Sequence, residues 1–88
     1  MKMILAILRD EDNERVSHGL LSQGFRVTRI ASTGGWLRRG NTTLMIGVDD
    51  DEVNPAIEII RDNCQAPVEA GQHRATLFVL NVAQYEHL

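Results

Sequence analysis

Residues 2 to 8, Lys-Met-Ile-Leu-Ala-Ile-Leu, form a continuous apolar run of strand length. In a strand, Met3, Leu5 and Ile7 face one way while Ile4, Ala6 and Leu8 face the other. Both faces are greasy, so this strand demands cover on both sides. A chain of 88 residues has room for one core, and residues 1–88 are expected to form a single small domain around this strand.

The rest of the chain supplies the cover in an ordered way. Acidic residues 10 to 12 offer helix-start chemistry, and Val16, Leu20 and Leu21 then fall at helical spacing over residues 13 to 23. Gly24 is a C-terminal stop, while Gly19 weakens the helix interior. Phe25 to Ala31 is rich in β-formers and predicts a second strand, with Arg26, Thr28 and Ile30 on one face. Asn41 to Val48 predicts a third. Asp49 and Glu52 have capping-box spacing ahead of a second helix, whose apolar stripe is Val53, Ala56, Ile57 and Ile60. After a polar loop over residues 65 to 73, Arg74 to Val82 predicts a fourth strand.

Strand-helix-strand followed by strand-helix-strand is the split pattern of an α+β, ferredoxin-like βαββαβ sandwich. Two helices cover only one face of a four-stranded sheet. The other face still carries large apolar side chains from the first, third and fourth strands, which on a monomer is an interface or an aggregation hazard. A domain this short also gains little margin from its own core. The expectation is an obligate homo-oligomer that packs its sheets together.

Charge and cysteine usage narrow the function classes. A net charge of -3 argues against bulk affinity for nucleic acid, though not against a small anion held by a few arginines. No apolar run approaches the length of a membrane span, and the acidic residues after Leu8 do not suit a signal-peptide cleavage site. The single cysteine, Cys64, rules out an internal disulfide and suits a reducing compartment, so the expected location is the cytoplasm.

Nothing in the sequence reads as an enzyme. His18, His73 and His87 lack metal-ligand spacing, and the carboxylates cluster where helix starts want them. The phosphate loop GxxxxGK and the dinucleotide GxGxxG are both missing. RNA recognition on this fold uses aromatics on the central strands, and the first and third strands carry none. One stretch stands out. Residues 32 to 47 hold the only tryptophan, Trp36, together with the Arg38-Arg39 pair and several glycines. Glycine, arginine and an indole in one loop suit a phosphate or nucleotide. Spacing alone also describes a surface hairpin whose Trp36 packs on its own base, and favours that reading.

The run Ser32-Thr33-Gly34-Gly35-Trp36-Leu37-Arg38-Arg39-Gly40-Asn41-Thr42-Thr43 is long and specific. With the opening Met-Lys-Met-Ile-Leu-Ala-Ile, Phe25-Arg26-Val27-Thr28, Gly47-Val48 and the strand Ala75 to Leu80, it closely resembles the PII-like cyclic-di-AMP receptor family, the PstA or DarA type. The resemblance implies a non-catalytic signalling protein, without a cofactor, that binds cyclic-di-AMP or a related adenine nucleotide in clefts between the subunits of a homotrimer. It implies that Arg26 and Thr28 contact ligand and that Trp36, where the family usually has Phe, stacks on an adenine. Leu37 would line the pocket, Asn41 would bond a base edge and Gly47 would allow close backbone approach. Phe78 would complete an apolar wall from a neighbouring subunit.

The implied partners are a cyclic dinucleotide and a downstream protein, with no nucleic-acid polymer and no membrane insertion. The sequence departs from the family's pattern at Gly24, at His87, where a Gln helps grip the ligand, and in the short stretch 64 to 74, where members usually carry a long loop. An interaction module that has lost nucleotide binding is the alternative these departures leave.

Overall fold

The structure, a computed structural model, describes residues 1–30, 40–65 and 73–88. The elements follow the expected order: strand β1 (Lys2–Arg9), helix α1 (Asn13–Ser22), β2 (Arg26–Ile30), β3 (Asn41–Val48), α2 (Val53–Asn63) and β4 (Ala75–Asn81). A 3-10 turn leads into each helix, at Asp10–Asp12 and at Asp50–Glu52. The four strands form one antiparallel sheet in the order β2-β3-β1-β4, which is the ferredoxin-like βαββαβ fold.

The twofold greasiness of β1 resolves as two different environments. Ile4, Ala6 and Leu8 are buried with Leu44, Ile46 and Val48 of β3, and Val16, Leu20, Ala56 and Ile60 of the helices complete that core. Each large aliphatic side chain in it contributes roughly 1.5–3 kcal/mol over leaving it exposed. Met3, Leu5 and Ile7 face away from the helices and are only half-buried. On the same face, Phe78 and Leu80 of β4 are 51% and 40% exposed. Phe78 is therefore not part of the protomer's core, because neither α1 nor α2 lies over its face of the sheet.

The helix ends show why these segments stop and start where they do. Gly24, at φ 86°, carries the chain out of α1. Its amide donates to Leu21 O at 3.0 Å and the Phe25 amide donates to Leu20 O at 3.0 Å, a Schellman closure. Phe25 therefore sits in the turn, and β2 begins one residue later than its composition suggests. Ahead of α2, Asp49 and Glu52 form the expected capping box, with Asp49 N donating to Glu52 Oε1 at 2.9 Å.

Gly19 has a packing reason that helix propensity does not reveal. A Cβ there would lie 2.8 Å from Asn63 Nδ2 and 3.1 Å from Ile59 Cγ2, so its absence lets α1 and α2 approach closely.

The carboxylates before α1 depart from the expected capping role. No side-chain cap forms there. The 3-10 turn instead carries Asp12 into full burial, where Arg15 Nη2 at 2.8 Å and Arg9 Nε at 3.3 Å bracket its carboxylate. Asp12 also accepts from the Gln65 amide, while Arg9 Nη2 donates to Gln65 O at 2.6 Å. Burial of a carboxylate is tolerable when it is paired and hydrogen-bonded in this way.

Candidate functional site

Cross-strand register arranges the open face in rows. At the end where β2 begins, Arg26 lies opposite Gly47, Gly47 opposite Met3 and Met3 opposite Leu80. The next row is Thr28, Met45, Leu5 and Phe78, and the one after it Ile30, Thr43, Ile7 and Thr76. Arg9 and Asn41 pair at the far end.

The first row, with Thr28 and Met45 of the second, lines a groove of about 550 Å³ that includes Arg26, Thr28 and Gly47, with Met3, Met45 and Leu80 as apolar surface. Gly47 leaves a gap in the first row between Arg26 and Met3. A Cβ there would stand 3.5 Å from the Met1 methyl, in ordinary contact, so the gap is room rather than strain. Arg26 and Thr28 are exposed, and Arg26 forms no ion pair with another described residue.

The chain after β4 returns over this end of the sheet. Val82 N donates to Met1 O at 3.1 Å, and the Lys2 ammonium bonds the Asn81 side chain. Gln84 and Tyr85 then join the groove wall. Among the described residues no carboxylate or histidine lines the groove. It therefore offers a fixed positive charge, hydroxyl and amide groups, thioethers and an aromatic ring, which suit an anionic, partly flat ligand.

The remaining expected site residues lie elsewhere. Asn41 is at the other end of β3, roughly 20 Å from Gly47 at about 3.3 Å per residue. Phe78 shares Thr28's row but sits on the edge strand, across β3 and β1 from it. Trp36 and Leu37 lie outside the described residues, as does most of the short stretch 64 to 74. Sequence reasoning missed Met3, Met45, Leu80, Gln84 and Tyr85. Alternation places the first three on the open face, but only register aligns them with Arg26. Nothing local assigns the tail to the groove.

The far end is chemically different. Asp10 N donates to Gly40 O at 2.8 Å and the Thr42 hydroxyl bonds the Asp10 carboxylate, which fixes the entry to β3. The Asp12 cluster fixes Gln65 beyond α2. Cys64 beside it is buried, and its thiol is pushed above the ordinary range, first by burial and then by the Asp12 charge. The Thr43 hydroxyl is buried with no partner among the described residues. Among those residues no three His, Cys, Asp or Glu side chains gather as a metal would require, and no helix is long and apolar enough to cross a membrane.

Two comparisons bear on this arrangement. Residues 1–69 match the family described as cyclic-di-AMP receptor. That segment contains Arg26, Thr28, Trp36, Leu37, Asn41 and Gly47 but neither Phe78 nor the tail. The chain is also similar to a functionally unknown protein from Pediococcus pentosaceus whose crystal structure is known. The two share 35% identity and a TM-score of 0.77, over 99% of this chain and 96% of that one.

Proposed function

The chain belongs to the cyclic-di-AMP receptor family, and we propose that it is a non-catalytic receptor that binds cyclic-di-AMP at the subunit interfaces of a homotrimer. The observation that carries the reading is the meeting of Arg26, Thr28 and Gly47 in one groove whose described lining holds no carboxylate or histidine. A phosphodiester wants the arginine's planar donors, and purines want flat or polarisable apolar surface. An arginine exposed at the mouth of such a groove suits binding better than chemistry.

The dispersal of the other candidates supports an assembled site. Asn41, roughly 20 Å along β3 from Gly47, lies too far from the groove to meet one ligand with Arg26 in a single protomer, and Phe78 is not among the residues that line it. Met3, Leu5, Ile7, Met45, Phe78 and Leu80 leave a partly open apolar face that a neighbouring copy would cover. In the trimer one subunit contributes Arg26, Thr28 and Gly47, and a neighbour contributes Phe78. Asn41 acts from the start of β3, and Trp36 and Leu37 from the segment between β2 and β3. A change in the assembled surface on binding then reports the ligand to a downstream protein.

Isothermal titration of the chain with cyclic-di-AMP, alongside sedimentation equilibrium, tests both parts. Saturable binding by a trimer is expected. No binding up to about millimolar ligand would overturn the receptor reading. A stable trimer in that case would point to contact with proteins alone, and a well-behaved monomer at micromolar concentration would overturn the shared site.

A further inference from the structure

We infer that Tyr85 is a second aromatic contact for the nucleotide, its ring laid against a purine in the same groove where Arg26 meets a phosphate. This rests on the receptor reading and extends it to a residue beyond the matched segment, which ends at residue 69. The tail is not a loose extension. The Val82 amide on Met1 O at 3.1 Å and the Lys2–Asn81 contact pin its start to the end of β1. Three residues past that pin, Tyr85 reaches the groove wall with Gln84.

Tyr85 remains 61% exposed and belongs to no part of the core, so packing among the described residues of the protomer does not account for it. An aromatic left in water, in one groove with a guanidinium that has no ion pair among the described residues and with a polarisable floor of Met3 and Met45, is a stacking surface without its partner. The groove, at about 550 Å³, lies within the roughly 300–1,000 Å³ typical of small-molecule sites. Its two walls then divide the work, since Arg26 belongs to the β2 edge and Tyr85 follows the β4 edge. A ligand with a purine and a phosphodiester satisfies both at once.

The bland account of Tyr85 is a greasy lid over Leu80 and Met1, and the test separates the two. Tyr85→Leu keeps an apolar cover and removes the π face, whereas Tyr85→Phe keeps the face and removes the hydroxyl. Calorimetric titration with cyclic-di-AMP is expected to show affinity lowered roughly tenfold by Tyr85→Leu and changed less than about twofold by Tyr85→Phe. Tyr85 is the only tyrosine in the chain, so tyrosine-specific isotope labelling marks this ring alone. Its ring resonances are expected to move upfield and to saturate at the stoichiometry of the titration. If the unaltered chain binds and Tyr85→Leu binds equally well, or the resonances stay in place, the inference fails and the receptor reading stands. If the unaltered chain binds no cyclic-di-AMP, both fail. Tyr85 is exposed, so each variant is expected to fold, and an unchanged thermal midpoint confirms it.

Discussion

At one end of the sheet two arginines close on a single buried carboxylate, while at the other one arginine stands exposed without an acidic partner among the described residues. Arg9 and Arg15 meet Asp12 at 3.3 and 2.8 Å, and Arg9 continues to Gln65 O. Arg26 faces the gap left by Gly47. A guanidinium neutralised inside the protein holds the chain together, and one left unneutralised over an apolar floor is available to an outside anion. The same side chain therefore does structural work at the loop end and, on the proposed reading, receptor work at the groove end.

The largest test of that contrast is Asp12→Ala. It leaves two arginines without their shared partner and the Gln65 amide without its acceptor. Removing one partner of a buried pair costs about 3–5 kcal/mol, and we expect about 3 because Arg9 and Arg15 keep 26% and 50% of their side-chain surface in water. Denaturant unfolding should show this loss, while the cyclic-di-AMP affinity of the folded protein stays within about twofold. A large fall in affinity would mean that the two ends act as one unit.

Arg26→Ala is the mirror experiment. Losing a charge-assisted contact should weaken binding by about 2 kcal/mol, or roughly thirtyfold, with the unfolding midpoint unchanged. Unfolding of this variant would assign Arg26 to the fold instead.

The elements of both ends were readable because each has a local cause. Strand β3 and helix α2 begin and end where alternation, the Asp49–Glu52 box and the apolar stripe put them. What divides the ends was not readable. Asp12 has the sequence context of any helix-start acid, and only the 3-10 turn carries it inward between Arg9 and Arg15. Arg26 and Thr28 could be assigned to a face, but their alignment with Gly47, Met3 and Leu80 depends on register, which no local pattern encodes. Tyr85 reaches the groove through a backbone bond between Val82 and Met1, residues at opposite ends of the sequence. Gly19 read as a weak helix residue, because the helix it makes room for lies some forty residues later.

A smaller contrast sets Gly24 against Gly40. Both hold positive φ, 86° and 89°, one leading into β2 at the groove end and the other into β3 at the loop end. Neither has anything within 4 Å of an added Cβ, so alanine at either position pays only for left-handed backbone, about 1 kcal/mol of stability. Gly24 is two residues from Arg26, so Gly24→Ala should also lower affinity a few-fold, whereas Gly40→Ala should do so only if the loop it closes touches the ligand. Chemical denaturation and titration of the two variants make the comparison.

The smallest effect uses Cys64 as a reporter of the loop end. Burial and the neighbouring Asp12 charge disfavour its thiolate, while Arg9, Arg15 and Arg74 oppose them. The folded pKa is thus above that of the unfolded chain. The stability this contributes is complete below the ordinary thiol pKa and is lost as pH rises from there through the folded value. At neutral pH alkylation of the folded protein should be roughly tenfold or more slower than of the unfolded chain. Asp12→Asn removes the charge that raises the pKa and leaves the arginines unopposed, so alkylation of that variant should quicken at a given pH. Saturating cyclic-di-AMP should leave the rate in the unaltered protein unchanged if the groove acts without the Asp12 cluster. A ligand-dependent rate would instead show that occupation of the groove is felt at the base of the second loop, and the division between the two ends would give way to coupling.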